Sequence, residues 1–493
     1  MFETGERCID RRRAGVLLHI TSLPGLTATG DFGSAAKHFV DFLQSAGFSV
    51  WQTLPVGPTQ TDGSPYQSSS VHAGNPRLIS LEPLVARGWL DVEILEQGAV
   101  SDKHKRAALY AAWEKFNQDA SKEASLALSS FIAEHHFWLQ DYTLFQALHE
   151  EHQCGWWEWP EQLRHREPLA MAQGRARLAS KIDYLCFEQF LFFSQWLELK
   201  QYANERGIEL FGDLPIFVAH DSAEVWANQE MFYLDETGQP SVVAGVPPDC
   251  FSELGQRWGN PIYRWDQMQE DGFTFWVDRM KTQLHMFDLI RIDHFRGFES
   301  YWEIPAEEEH AIRGRWVKAP GDELFKRLYE VYGSLPLVAE DLGIITPEVK
   351  AMREKYRLPG MKILQFAFSG DPDNPYLPYN QSTNAVVYTG THDNDTSLGW
   401  YLSLNTEGRR YVDEYLGRSR EIMPWPLIRC ALASRARLAI LPMQDILALD
   451  GRHRMNLPGT TEGNWNWRFS WDQIEPDLAD RLRRRVEMYG RLR

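Results

Sequence analysis

The stretch LIRIDHFRG, Leu289 to Gly297, decides the fold. Its first five residues form a short apolar run that closes on a carboxylate, Asp293, and side chains two apart along a strand share a face. Arg291 and Asp293 therefore point the same way. Two later stretches have the same form: LVAEDLG, Leu337 to Gly343, and VYTGTHDND, Val387 to Asp395. Each begins as a β-like apolar run and ends in an acid.

Eight such runs recur, many rich in Val, Ile, Leu and Phe, as strands buried on both faces should be. They are Val16–Ile20, Val50–Leu54, Glu209–Leu214, Leu289–Asp293, Leu337–Glu340, Lys362–Phe366, Ala385–Thr389 and Leu438–Leu441. Helical patterns lie between most of them, among them Phe39 to Ala46, Glu323 to Val331 and Glu348 to Tyr356. Thr346-Pro347-Glu348 has the form of a helix start, with a capping Thr and Pro in the first turn. Eight strand–helix alternations predict an α/β chain folded as a (β/α)8 TIM barrel.

The spacing is uneven. Roughly 150 residues separate the second and third runs, mostly helical in pattern (Lys103 to Phe116, Ser125 to His136, Phe187 to Glu205). A shorter insertion, ending in a helix near Phe273 to His285, separates the third and fourth. The expected organisation is one catalytic barrel over 1–493. It carries a mostly helical insertion over 56–208 and a second over 215–288 that contains a substrate-covering loop at 245–261. Insertions after strands land on the C-terminal face of a barrel, where substrates bind. After the eighth run only a loop and a helix (Pro476 to Tyr489) remain, which leaves no room for a separate C-terminal β-domain.

A chain of 493 residues would by length suggest about three domains, but barrels with insertions run past 400 as one unit. The net charge of −17 argues against nucleic acid or an anionic membrane as partner, because phosphates would be repelled. A neutral sugar meets no such penalty. The five cysteines, Cys8, Cys154, Cys186, Cys250 and Cys430, are scattered and form no CxxC pair, which points to a reducing cytoplasm. Arg11-Arg12-Arg13 precedes an apolar run too short for an export signal, and no segment is long enough to span a membrane. Most of the 19 tryptophans are expected in the core, with a few rings free to stack on flat faces of a ligand.

Strand-end acids at a barrel mouth are where catalysis is expected. A buried Arg291 beside Asp293 would keep that acid charged and oriented, as a nucleophile requires. Glu340, in a cleft with other acids, would be pushed towards its protonated form and could donate a proton to a leaving oxygen. His392 and Asp393 could grip sugar hydroxyls. A metal at that pair is the weaker reading, because no second His/Cys cluster has ligand spacing. Asp395 is expected to cap a helix beginning near Thr396-Ser397. Three acids with an arginine and a histidine form a kit for breaking a glycosidic bond. Three further stretches are weaker signals. They are SPYQSSSVHAGNP (Ser64 to Pro76) with Tyr66, GVPPDCFSELGQRWGNPIY (Gly245 to Tyr263) as a mobile covering loop, and MNLPGTTEGNWNWR (Met455 to Arg468) with Asn464.

Taken in order, SLPG (Ser22 to Gly25), SPYQS, GDLPIFVAHDSAEVW (Gly212 to Trp226), GVPPD, GQRWGNP, RIDHFRG, AEDLG, GTHDND and MNLPGT resemble the amylomaltases, or 4-α-glucanotransferases, relatives of the α-amylases. The resemblance covers nearly the whole chain. It implies Asp293 as nucleophile, Glu340 as general acid/base and Asp393 as stabiliser of an oxocarbenium-like transition state. It implies sugar contacts from Tyr66, Asp213, Arg291, His294, His392 and Asn464, and a covering loop bearing Asp249, Phe251, Gln256, Trp258 and Asn260. Cys250 departs from it, since an aromatic residue is expected after PPD; this would reshape an acceptor-side contact without removing the chemistry. The implied partners are maltooligosaccharides and α-1,4-glucans, with no cofactor or metal, in a monomer or homodimer. Two alternatives stay open: an α-glucan hydrolase sharing the same catalytic site, and an idle glucan-binding barrel.

Overall fold

A computed structural model describes residues 9–96, 100–248, 252–417 and 420–492. Among the described residues twelve strands occur in chain order: β1 (Arg13–Leu17), β2 (Val50–Gln52), β3 (Glu209–Leu214), β4 (Val242–Val246), β5 (Gln256–Pro261), β6 (Leu289–Ile292), β7 (Ser300–Pro305), β8 (Arg315–Lys318), β9 (Leu337–Ala339), β10 (Gly360–Ile363), β11 (Ala385–Tyr388) and β12 (Leu438–Pro442). Eight of them close a parallel barrel in the ring order β1-β12-β11-β10-β9-β6-β3-β2. The chain is therefore the (β/α)8 barrel its apolar runs predict, and no strand follows β12 among the described residues.

Alternation along the strands sorts the side chains. Leu17, Val50, Phe211, Leu289, Val338, Val386, Tyr388, Leu438 and Ile440 pack together as an inner cluster. Their neighbours Val16, Trp51, Ile290, Ile292, Ala339, Val387 and Ala439 pack outward with the helices. One step beyond the inner apolar layer the same alternation brings Asp213 and Arg291 into register on β3 and β6. The barrel thus changes from apolar to ionic within two residues of strand.

Two runs are displaced from their expected positions. The first strand spans Arg13–Leu17, and Ile20, the expected end of that strand, begins a 3-10 turn, Ile20–Ser22. The sixth spans Gly360–Ile363, and Leu364–Phe366 again turns as a 3-10 helix. In both, an apolar run continues past the strand into a buried turn, so composition alone does not mark the boundary.

The described elements between β2 and β3 are all helices, the longest being Ala179–Glu205 and Asp102–Asp119. The second insertion builds something the sequence did not announce, an antiparallel sheet ordered β5-β4-β7-β8. Its last two strands come from the segment after β6, so two separate crossovers share one sheet beside the barrel mouth. At the opposite end, buried Arg491 donates to the carbonyls of Leu432, Arg13 and Ala436 at 2.7–2.8 Å, which ties the segment after helix Leu478–Met488 to the base of β1 and β12.

Candidate active site

The site grows from Arg291. Its Nη1 lies 2.7 Å from both carboxylate oxygens of Asp213, and its Nη2 lies 2.7 Å from Oδ1 of Asp293. The Asp213 side chain is fully shielded, whereas 27% of Asp293 is open to the cleft. Burial works against the guanidinium, but Asp213 and Asp293 outweigh it and hold its pKa well above the ordinary value. Burial lifts the Asp213 carboxyl above its usual range, with Arg291 pulling the other way. The Tyr66 hydroxyl donates to Asp213 Oδ2 at 2.8 Å. Burial and the Asp213 charge raise that phenol far above its ordinary pKa, so it stays a donor.

Glu340 follows β9 directly and is held by backbone alone. The N–H of His294 donates to Oε2 at 2.7 Å and that of Leu342 to Oε1 at 3.0 Å. His294 reaches this position because it adopts a left-handed conformation (φ 49°), uncommon for a residue other than glycine. Burial pushes the Glu340 carboxyl up to about 8, with Asp293 adding to the rise and Arg291 and the two amides opposing it. At neutral pH it therefore carries a proton. Desolvation of the His294 imidazole lowers it to about 4, so it is neutral. Its Nε2 has no protein partner among the described residues.

Asp393 lies in the turn after β11. Its side chain is 47% exposed, His392 Nε2 lies 3.3 Å from Oδ2, and Asn456 Nδ2 donates to Oδ1 at 2.7 Å. Desolvation in the cleft would raise this carboxyl, but His392, Asn456 and Arg291 outweigh it and hold it below the usual carboxylate range. His392 stacks on Tyr66 at 5.2 Å between ring centroids, which joins this cluster to the Asp213–Arg291 pair. Two pockets flank that stack. One of about 430 Å³ is lined by His19, His392, Arg454 and Met455, and one of about 540 Å³ by Tyr66, Asp213, His72 and Arg279.

The structure thus gathers Tyr66, Asp213, Arg291, Asp293, His294, Glu340, His392 and Asp393 into one mouth. Trp258 on β5 meets His294 edge to face at 4.9 Å and brings the small sheet to the site. Other expected contacts are engaged by the protein itself. The Asn260 amide donates to the Val218 carbonyl at 2.8 Å, and Gln256 accepts from the Trp258 indole at 3.1 Å. Asn464 accepts from the Leu457 N–H and donates to Thr460, so both ends of its amide are engaged within its own loop. The expected helix cap belongs to Thr396, which accepts from Gly399 N, rather than to Asp395. Asp249, Phe251 and the Cys250 departure lie outside the described residues.

Three participants were missed. Asn456, whose Nδ2 donates to Asp393 Oδ1, and Arg454, whose Nη2 donates to the Asp393 carbonyl at 2.9 Å, stand in or beside the MNLPGT stretch. His19, buried and held neutral by that burial at about 3, lies just past β1. Among the described residues no group of three or more His, Cys, Asp or Glu is arranged to hold a metal ion.

A parallel barrel that gathers acids of opposed protonation around an open cleft has the form of an enzyme for acid/base chemistry on a sugar. A sequence model described as 4-alpha-glucanotransferase matches residues 18–473. The 4-alpha-glucanotransferase of Thermus thermophilus is 49% identical over 98% of this chain and 99% of its own length. The chloroplastic/amyloplastic one of Solanum tuberosum is 43% identical over 98% and 87%. Among solved structures, an amylomaltase from Streptococcus agalactiae in complex with acarbose superposes with a TM-score of 0.95 at 38% identity, covering 98% of this chain and all of its own. An amylomaltase from Corynebacterium glutamicum shares the fold at 19% identity and a TM-score of 0.78, covering 98% and 76%. The chain belongs to the 4-α-glucanotransferase family.

Proposed function

We propose that the protein transfers an α-1,4-glucan segment from a donor maltodextrin to the 4-hydroxyl of glucose or another glucan, with retention, by double displacement. The observation that carries this reading is the junction at Asp293 and Glu340. The peptide N–H immediately after Asp293 donates to Glu340, so nucleophile and acid are held by one turn of backbone. Retaining chemistry needs the two carboxyls about 5–5.5 Å apart.

In the first half-reaction Glu340 gives its proton to the glycosidic oxygen as Asp293 attacks the anomeric carbon and a covalent glucosyl-enzyme forms. Esterification removes the Asp293 charge, one of the influences that raise Glu340. The Glu340 carboxyl then becomes the stronger acid, which suits the second half, where its ionised form must take a proton from the incoming 4-hydroxyl. Asp393, held charged, grips ring hydroxyls and stabilises the positive charge that develops at the anomeric carbon. The Tyr66 hydroxyl, hydrogen-bonded to Asp213, lies in the same mouth as a further partner for the sugar. Transfer must outcompete water at about 55 M, which calls for positioning and water exclusion. The segment 245–261, which carries Trp258 against His294, is assigned that covering role.

The expected substrates are maltooligosaccharides and longer α-1,4-glucans, acted on by a cytoplasmic monomer or homodimer. Cys154, Cys186 and Cys430 are free thiols, as suits a reducing compartment. No helix among the described residues is long and apolar enough to cross a membrane. Incubation with maltotriose and resolution of products by size tests the activity. Glucose with a ladder of longer maltodextrins is expected; glucose and maltose alone would mean hydrolysis.

A further inference from the structure

The loop at 454–464 ends against Asp393, and it is fastened on both sides of Asn456. On one side Arg454 donates to the Asp393 carbonyl at 2.9 Å and to the Asn456 carbonyl at 2.8 Å. Met455 is buried, and its carbonyl accepts from Trp465 N at 2.8 Å. On the other side the Leu457 N–H donates to Asn464 Oδ1 at 2.9 Å, and Asn464 returns a bond to the Thr460 carbonyl at 2.9 Å. The Asn456 backbone is thus fixed before any ligand binds, and its amide meets Asp393 Oδ1 at 2.7 Å.

We propose that Asn456 is a positioning residue for Asp393, fixing the plane of its carboxylate so that both oxygens face two neighbouring sugar hydroxyls, a role that rests on reading Asp393 as the sugar-gripping acid. The torsion about the Asp Cβ–Cγ bond is broad, so a half-exposed carboxylate rotates unless both oxygens are held. His392 holds one oxygen and Asn456 the other. An ionised carboxylate has about four acceptor sites, so two remain for the substrate. An amide suits the position because it donates at every pH, whereas an aspartate there would repel.

The test compares kcat and KM for maltotriose disproportionation in wild type, Asn456→Ala, Asn456→Asp, Asp393→Asn and the double variant Asp393→Asn with Asn456→Ala. Asn456→Ala is expected to lower kcat about 10–100-fold, with KM within about threefold of wild type and thermal unfolding unchanged. Asn456→Asp is expected to be worse near neutral pH. Its activity relative to wild type should recover as pH falls and the new carboxyl gains a proton to donate. In the double variant the Ala substitution should add nothing to the loss caused by Asp393→Asn. An Asn456→Ala enzyme with wild-type kcat beside a crippled Asp393→Asn would overturn this role alone, as would full additivity in the double variant. Wild-type turnover in Asp393→Asn would overturn the reading of Asp393 and this role with it.

Discussion

Glu340 and Asp393 sit in the same mouth and are driven in opposite directions. Glu340 is half-buried, held by two backbone amides beside a neighbouring carboxylate, and rises to about 8. Asp393 is nearly half exposed, meets a histidine and an amide, and falls below the usual carboxylate range. Amide donors alone do not decide the outcome, since both acids accept them. The difference lies in what opposes desolvation. For Asp393 the adjacent imidazole heads the opposing influences, whereas for Glu340 the pull of Arg291 is partly cancelled by Asp293, which shares the same guanidinium. One mouth can thus keep a proton donor and a fixed negative charge side by side.

The comparison breaks most sharply where chemistry is removed. Asp293→Ala should lower turnover on the order of 10⁴-fold or more, and Glu340→Gln about 10²- to 10⁴-fold, with little change in folding. Steady-state kinetics with maltotriose would decide, and near-wild-type rates in either would refute the roles. The wild-type rate should also fall as pH rises through about 8, where Glu340 loses its proton. Asp393→Asn should cost about 10²- to 10³-fold in kcat yet leave that alkaline limb in place, because the limb belongs to Glu340. A limb that moved with Asp393 would merge the two acids into one unit.

A structural test comes next. Arg291→Met leaves Asp213 buried without its partner and should destabilise the fold by about 3–5 kcal/mol in denaturant unfolding. A neutral result would mean that Asp213 is carried by Tyr66 alone. The smallest effect concerns stability against pH. The folded state binds the Glu340 proton more tightly than the unfolded chain does, so this group's contribution falls as pH rises from the ordinary Glu range towards about 8. The stability of wild type relative to Glu340→Gln should therefore decline over that window by on the order of 1–3 kcal/mol. A constant difference would place the protonated state of Glu340 in doubt.

Much of this was legible in the residues. Strand alternation in LIRID puts Arg291 and Asp293 on one face, and the structure pairs them at 2.7 Å. The barrel could be read because each parallel strand carries its own local apolar signature. The antiparallel sheet could not, because Arg315–Lys318 is exposed and charged and because the sheet is joined where Val242–Val246 pairs with Ser300–Pro305, a non-local contact across β6. Asn456 and Asn464 show the same limit. Both are amides in one loop, and only the backbone path decides that one reaches Asp393 while the other fastens the loop. His294 lay in the quoted motif, yet the left-handed backbone that aims its N–H at Glu340 has no signature in its side chain.

The division of labour between Asp293 and Glu340 is the central claim, and one trapping experiment addresses it. Glu340→Gln would be incubated with an α-maltosyl fluoride, whose leaving group needs no acid, and the protein digested for mass spectrometry. A maltosyl adduct on the peptide carrying Asp293, released when azide is added as a nucleophile that needs no base, is the predicted result. Turnover with no adduct, or an adduct on any other residue, would contradict it.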